Sequence, residues 1–450
     1  MTSPTPMTIG FIPLARPTFD VALAEEMTAR ARAQLTEAGY TLVEPEGLVS
    51  DLPAAQAAAD ALADAPVDLL LIFQATFADS TMAVTLAQTL AAPLLLWAIP
   101  EAPGGGRLRL NSLCGVNLAA HGLKREKLRY DYIYAPPDAA AALDKVRTLA
   151  LAGRAQRRLS QARIGRVGEN PAGFDSCKVG KLELKIAFGL DVVQVPLDEV
   201  FAQVRATPDD EIDAVLAELR ETLPNLAEMD QAALRRSLAT YLTLRRFAQE
   251  RDLDGLAVRC WPEFFTELGC AACGAMALLS DAQTPCSCEA DINGTITQLL
   301  LQWMSGQPAF GTDMVSFDLD ADEAVLWHCG LAPLSMADPD VTPRATIHSN
   351  RKLPLLMEFP LKPGRVTVAR LSEAQGTGNY RLVVGGGEML RAPNSFSGTS
   401  GVIRFDRGAE AVLDTILREG LEHHVSLTYG DYIPALVSLA RILDIPILQL

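Results

Sequence analysis

Positive charge, histidine and long apolar runs are all scarce in this 450-residue chain. With 39 Lys and Arg against 55 Asp and Glu, the formal net charge is −16, which argues against a surface built to hold nucleic acid or an anionic membrane. The longest apolar runs, VDLLLIFQATF at 67–77 and APLLLWAIP at 92–100, stop well short of the roughly 20 residues that span a bilayer. They read as buried strands, and no membrane partner is expected. The opening residues have no positive segment followed by an apolar core, so no secretory signal is read and a cytoplasmic location is expected. A G-x-G-x-x-G opening a helix is missing too: Gly104, Gly105 and Gly106 follow a strand without one, which leaves little support for nucleotide binding. Eight cysteines, among them Cys270, Cys273, Cys286 and Cys288, lack a Cys/His partner array at finger-like spacing and read as reduced core thiols. Disorder is excluded by composition, because 49% hydrophobic residues against 21% charged ones are enough to fill real cores.

What is present is a three-part texture. Residues 1–155 alternate short apolar runs (IGFIPLA, YTLVEP, VDLLLIFQ, PLLLWAI) with Ala-rich amphipathic ones, the pattern of a parallel sheet covered on both faces. A second unit over 156–305 repeats the theme with ARIGRVG, VVQVPLDEV and LAVRCW as strands. From 306 to 450 the chain turns to seven short alternating runs broken by Gly, Pro and Asp, followed by a helix–strand–helix–strand tail. The fold class expected is therefore α/β: two Rossmann-like parallel-sheet domains and a β-rich C-terminal domain with an antiparallel barrel or sandwich.

The five histidines stand at 121, 328, 348, 423 and 424. Glu289, in CSCEADING, lies between a strand-like run and a helix starting near Asp291, the usual mouth of an α/β site. Asp313 follows in FGTDMVSF, His328 in VLWHCG, and the His423–His424 pair in LEHHVSLTYGD. Two carboxylates with one or two imidazoles make an oxygen/nitrogen site for a divalent ion, and the carboxylate richness favours Mn²⁺ over Co²⁺, Mg²⁺ and Zn²⁺. Each residue also has an ordinary reading. An Asp opening a strand is commonly a turn residue, Glu289 could simply charge a helix N-terminus, and His328 could be a core histidine. In an extended segment His423 and His424 point to opposite faces, so one of them at most faces a site. His348 reads as a surface or supporting residue. In RCWPEFF at 259–265, Trp261 and Glu263 are candidates to line a pocket, with packing at a domain interface as the alternative for Trp261. GENPAGFD at 168–175 is a second candidate loop.

The segment from about 286 to 430 resembles the metal-dependent L-fucose isomerase and L-arabinose isomerase family of aldose–ketose isomerases. Glu289 of CEADINGT, Asp313 of GTDMVSFD and His423 of EHHVSLTYG look like that family's metal-holding set. His328 of LWHCGLAP looks like the additional histidine of the arabinose branch, whereas Asp at 313 is closer to the fucose branch. VNLAAHGLKREKLRY resembles a segment whose histidine reaches a neighbouring subunit's site, which makes His121 a candidate substrate contact and implies a homotrimer or homohexamer.

What the resemblance implies is a proton moved between C2 and C1 of a pentose, hexose or modified sugar through a cis-enediol. Glu289 and Asp313 would both bind metal and move protons. His328 and His423 would be ligands, and His121, His328, His424 and Trp261 would be substrate contacts. Two other readings use the same residues: a metal-dependent epimerase or aldolase, and a non-catalytic sugar-binding protein.

Overall fold

The computed structural model describes residues 6–90 and 92–450, which divide into two compact units. One comprises the chain up to Arg157 with Arg441–Leu443, the other Arg158–Ala440 with Asp444–Leu450.

In the first unit, β1 (Thr8–Leu14), β2 (Thr41–Val43), β3 (Leu69–Gln74), β4 (Leu94–Ala98) and β5 (Asp131–Tyr134) form a wholly parallel sheet in the order β2-β1-β3-β4-β5. Its central strands β1, β3 and β4 are apolar without alternation because both faces are covered. Leu69, Leu71 and Phe73 of β3 belong to one apolar layer, while Leu70 and Ile72 belong to the other. Asp residues cap the helices that do the covering: Asp20 accepts from the Leu23 amide and Asp51 from that of Ala54.

The second unit begins with another parallel sheet of β6 (Arg163–Val167), β7 (Asp191–Val195), β8 (Gly255–Val258) and β9 (Cys286–Ser287), ordered β7-β6-β8-β9. All seven short runs after residue 306 are strands: β10 (Phe310–Asp318), β11 (Glu323–His328), β12 (Arg344–Thr346), β13 (Leu356–Pro360), β14 (Gly364–Ser372), β15 (Arg381–Leu390) and β16 (Thr399–Phe405). The tail adds β17 (His424–Tyr429) and β18 (Ile447–Gln449). Strands β16-β11-β10-β17-β14-β15 lie side by side, and the pairing of β15 with β16 closes them into a six-stranded barrel. The tail strand β17 is thus a central stave, hydrogen-bonded to β10 on one side and β14 on the other.

The helix Ile292–Ser305 joins sheet and barrel. It is buried from Ile292 to Met304, and two threonines on it reach opposite partners. Thr295 Oγ1 donates to the Leu256 carbonyl of β8, and Thr297 Oγ1 accepts from the Leu371 amide of β14. Val167, Val258 and Cys286 of the sheet share one apolar core with Phe310, Leu326, Val366 and Leu427 of the barrel. The expected boundary at 305/306 falls inside this unit, between the buried helix and β10. No helix among the described residues is long and apolar enough to cross a membrane, and all eight cysteines are unbridged.

Candidate active site

Register brings the first two groups together. In the antiparallel pairing of β10 with β17, Asp313 lies directly opposite His424, so their side chains share a face. His424 Nε2 is 3.6 Å from Asp313 Oδ1. The third group comes from the parallel sheet. After β9 the chain makes one tight turn in which Glu289 (φ +59°) and Ala290 (φ +55°) are both left-handed, an uncommon conformation for residues with a Cβ. The turn ends at Asp291, which caps the buried helix by accepting from the Gly294 amide at 2.9 Å. Asn170, from the GENPAGFD loop, donates to the carbonyls of Glu289 and Ala290 at 2.9 and 3.0 Å and holds the turn from outside. Glu289 Oε2 is thereby placed 3.8 Å from His424 Nε2.

His424 is buried and its orientation is fixed. Its Nδ1 lies 3.0 Å from Asp291 Oδ2, and Asp291 is held by two contacts to the buried guanidinium of Arg370. Burial pushes the His424 imidazole down, but Asp291, Asp313 and Glu289 together raise its pKa above the ordinary value. Burial works against the Asp291 carboxylate as well, yet Arg370 and His424 hold its pKa well below the usual range. Glu289 is also held low against burial, by His423, His424 and the Trp261 indole. Burial lifts Asp313.

His423 precedes β17, so strand alternation does not separate it from His424 as an extended segment would have done. The two rings stand 4.0 Å apart. His423 Nε2 is 3.1 Å from Glu289 Oε2 and Nδ1 is 2.9 Å from Ser176 Oγ. With 41% of its side chain exposed it faces solvent more than His424 does. Trp261 Nε1 donates to Glu289 Oε1 at 3.0 Å. His328 ends β11 with its ring 6.1 Å from that of His424. Its Nδ1 accepts from the Cys329 amide at 2.9 Å, so the neutral ring carries its proton on Nε2.

These side chains open onto one cavity of about 270 Å³, whose wall includes Phe174, Trp261, Phe265, Glu289, Asp313, His328, His348, Arg351, His423 and His424. Of the sequence candidates, Glu289, Asp313, His328, His423, His424 and Trp261 are brought together. Glu263 instead pairs with Arg259 at 2.7 Å. His121 lies exposed on the helix Ser112–Arg125 of the first unit and is not part of this cavity wall. His348 is buried and lines the cavity, which its sequence neighbours did not suggest. Sequence reasoning missed Arg370 and Arg351, named the loop that carries Asn170 without singling that residue out, and took Asp291 only as a helix start. An Asp two positions from Glu289 was the one available signal.

The donor set suits a divalent ion. Glu289 Oε2 and Asp313 Oδ1 lie 3.8 and 3.6 Å from His424 Nε2, and Asp313 Oδ1 is buried without a hydrogen-bond partner among the described residues; Cys177, Glu289, His423 and His424 also offer ligand atoms within 4.8 Å of one another. Ligand bonds of about 2.1 Å would set neighbouring donors ~3 Å apart, close to this spacing. Cys177 lies 3.8 Å from Glu289, and burial and the neighbouring Asp291 push its thiol pKa up.

A parallel α/β sheet joined to a closed barrel, with carboxylates and imidazoles meeting at the junction, has the groups an enzyme needs for acid–base or metal-assisted chemistry, and comparison with known proteins makes this specific. Residues 10–150 match the family model of the fucose/sulfoquinovose isomerase N-terminal domain, and residues 357–450 match that of the L-fucose isomerase C-terminal domain. The chain is 31% identical to a sulfoquinovose isomerase of Priestia aryabhattai over 441 residues, covering 97% of this chain and 98% of that one. It is 30% identical to a sulfoquinovose isomerase of Alkalicoccus urumqiensis, covering 99% of each. The chain belongs to the L-fucose isomerase family and is an aldose–ketose isomerase, an intramolecular oxidoreductase. Family membership selects this reading over the epimerase or aldolase and the sugar binder.

Proposed function

We propose that this enzyme interconverts the aldose and ketose forms of sulfoquinovose or a closely related anionic hexose, using a divalent ion held by Glu289, Asp313 and His424. The observation that carries the metal reading is that Glu289 and an unpartnered Asp313 oxygen stand 3.8 and 3.6 Å from His424 Nε2, with His424 locked from behind by Asp291. A divalent ion there would supply Lewis-acid charge and a template for the two oxygens on the reacting carbons. Glu289 and Asp313 then share the proton transfers between C1 and C2 and between the two oxygens. His423, more exposed and bound to Ser176, and His328, with its proton on Nε2, fit hydrogen bonding to sugar hydroxyls better than metal ligation. Trp261 positions Glu289 and offers its ring to the sugar. Carboxylate oxygens as two of three donors favour Mn²⁺. The sugar itself is suggested by the names of the relatives.

Elemental analysis with a chelation and reloading series on a sugar panel tests the reading. About one ion per chain is expected, with ketose formation lost in chelator, restored best by Mn²⁺, and metal retention reduced in Glu289→Gln. Full turnover in metal-stripped protein would overturn it.

A further inference from the structure

Arg351 is exposed at the rim of the cavity that holds the carboxylate–imidazole cluster. Its guanidinium stands 4.9 Å from the centre of the Trp261 ring and 5.2 Å from that of Phe265, a position that restricts a long side chain by stacking. Its one polar side-chain partner among the described residues is His348, whose Nε2 lies 3.1 Å from Nη1. Burial and the adjacent positive charges hold the His348 pKa down to about 4, so at neutral pH the imidazole carries no charge. No carboxylate among the described residues pairs with Arg351, whereas Arg259, two residues before Trp261, is matched bidentately by Glu263. The cavity wall therefore presents a preorganised cation whose charge is not cancelled.

Trp261 fixes where that cation sits relative to the chemistry. Its indole N–H is bound to Glu289 at the ring edge while the guanidinium lies over the ring face, so the cation and the carboxylate are held on one rigid side chain but offset from each other. We infer that Arg351 is a specificity-determining residue that receives a sulfonate-type monoanion at the end of the sugar remote from the reacting carbons. One guanidinium, with no second Arg or Lys among the described residues of the cavity wall, matches a single negative charge better than a phosphate dianion. The aromatic rims suit a weakly hydrated anion. This rests on the proposed isomerase reading and deepens it by naming the group that recognises the substrate's charge.

The test compares wild type, Arg351→Met and Arg351→Lys with 6-sulfonated, 6-phosphorylated and neutral glucose. Affinity is measured by calorimetry in chelator, and ketose formation is measured after metal loading. The sulfonated sugar should bind wild type most tightly of the three. Arg351→Met should weaken it about 10- to 100-fold, the range for loss of a charge-assisted hydrogen bond, with the loss falling on KM more than on kcat. Arg351→Lys should recover part of it. Three results would each overturn the inference: unchanged affinity in Arg351→Met, equal proportional losses for sulfonated and neutral sugar, or tighter binding of the phosphate. The isomerase reading fails separately. Metal-loaded wild type that binds the sulfonated sugar through Arg351 and yields no ketose would remove that reading and leave the anion subsite standing.

Discussion

Asp313 carries the clearest chemical signature of any single residue, an oxygen buried without a hydrogen-bond partner beside two histidines and a second carboxylate. Asparagine at this position keeps the volume but can neither accept a proton nor supply full negative charge. Asp313→Asn should lower turnover by about 10²–10⁴-fold with no loss of thermal stability, read by steady-state kinetics and melting of the same samples. Normal turnover in the folded variant would remove Asp313 from the mechanism. His328 answers to pH instead. Burial, reinforced by the charges of His424 and His423, takes its pKa from 6.5 down to about 3. Between those values the unfolded chain binds a proton that the folded one refuses, so stability rises with pH across the window and is lost on acidification from 6.5 towards 3. The slope is about 1.4 kcal/mol per pH unit for this residue. Denaturant midpoints of chelated protein at several pH values should show it, and His328→Gln should be measurably less pH-sensitive. An identical slope would assign the acid sensitivity elsewhere.

At the scale of the element, the turn and helix from Glu289 to Ser305 do the positioning. Asp291 caps that helix, orients His424 and neutralises Arg370, whose side chain is 1% exposed. Removing its charge leaves a buried guanidinium partly uncompensated. Asp291→Asn should cost about 3–5 kcal/mol of stability, and Arg370→Met a similar amount, with the double variant losing less than the sum because the two act on one pair. Urea unfolding of the four proteins decides this, and strict additivity would deny the coupling. The strands of this unit were legible as short apolar runs broken by turn residues, with strict period-two burial in β11 and nearly continuous burial in β14 and β15. That β17 sits between β10 and β14 was not. A strand's place in a barrel depends on pairings across more than a hundred residues, as between Asp313 and His424, and no local pattern records them.

For the whole molecule, the charge of −16 is no barrier to self-association, because closed symmetric interfaces need only local complementarity. The family resemblance implies that His121, exposed on its helix, serves another subunit's site. A homotrimer or homohexamer is therefore the expected state, checked by light scattering. Co-assembled His121→Ala and Glu289→Gln chains, each inactive alone, should regain activity at about a quarter of sites if each site draws one residue from each of two chains. Absence of recovery in a confirmed mixed oligomer would return His121 to an ordinary surface histidine.

Taken by itself, the amino-acid sequence determined the two parallel sheets, the β-rich end and the scarce histidines and carboxylates worth weighing. These follow from periodicity and from side-chain chemistry, both of which are local. Tertiary structure alone decided which of them meet. The left-handed turn at Glu289 and Ala290 turns one carboxylate inward, and antiparallel register sets Asp313 against His424. Packing of Trp261 and Phe265 carries Arg351 to the same cavity from a loop with no motif to announce it. Each of those depends on backbone geometry or on partners far away in the chain, where sequence spacing carries no distance.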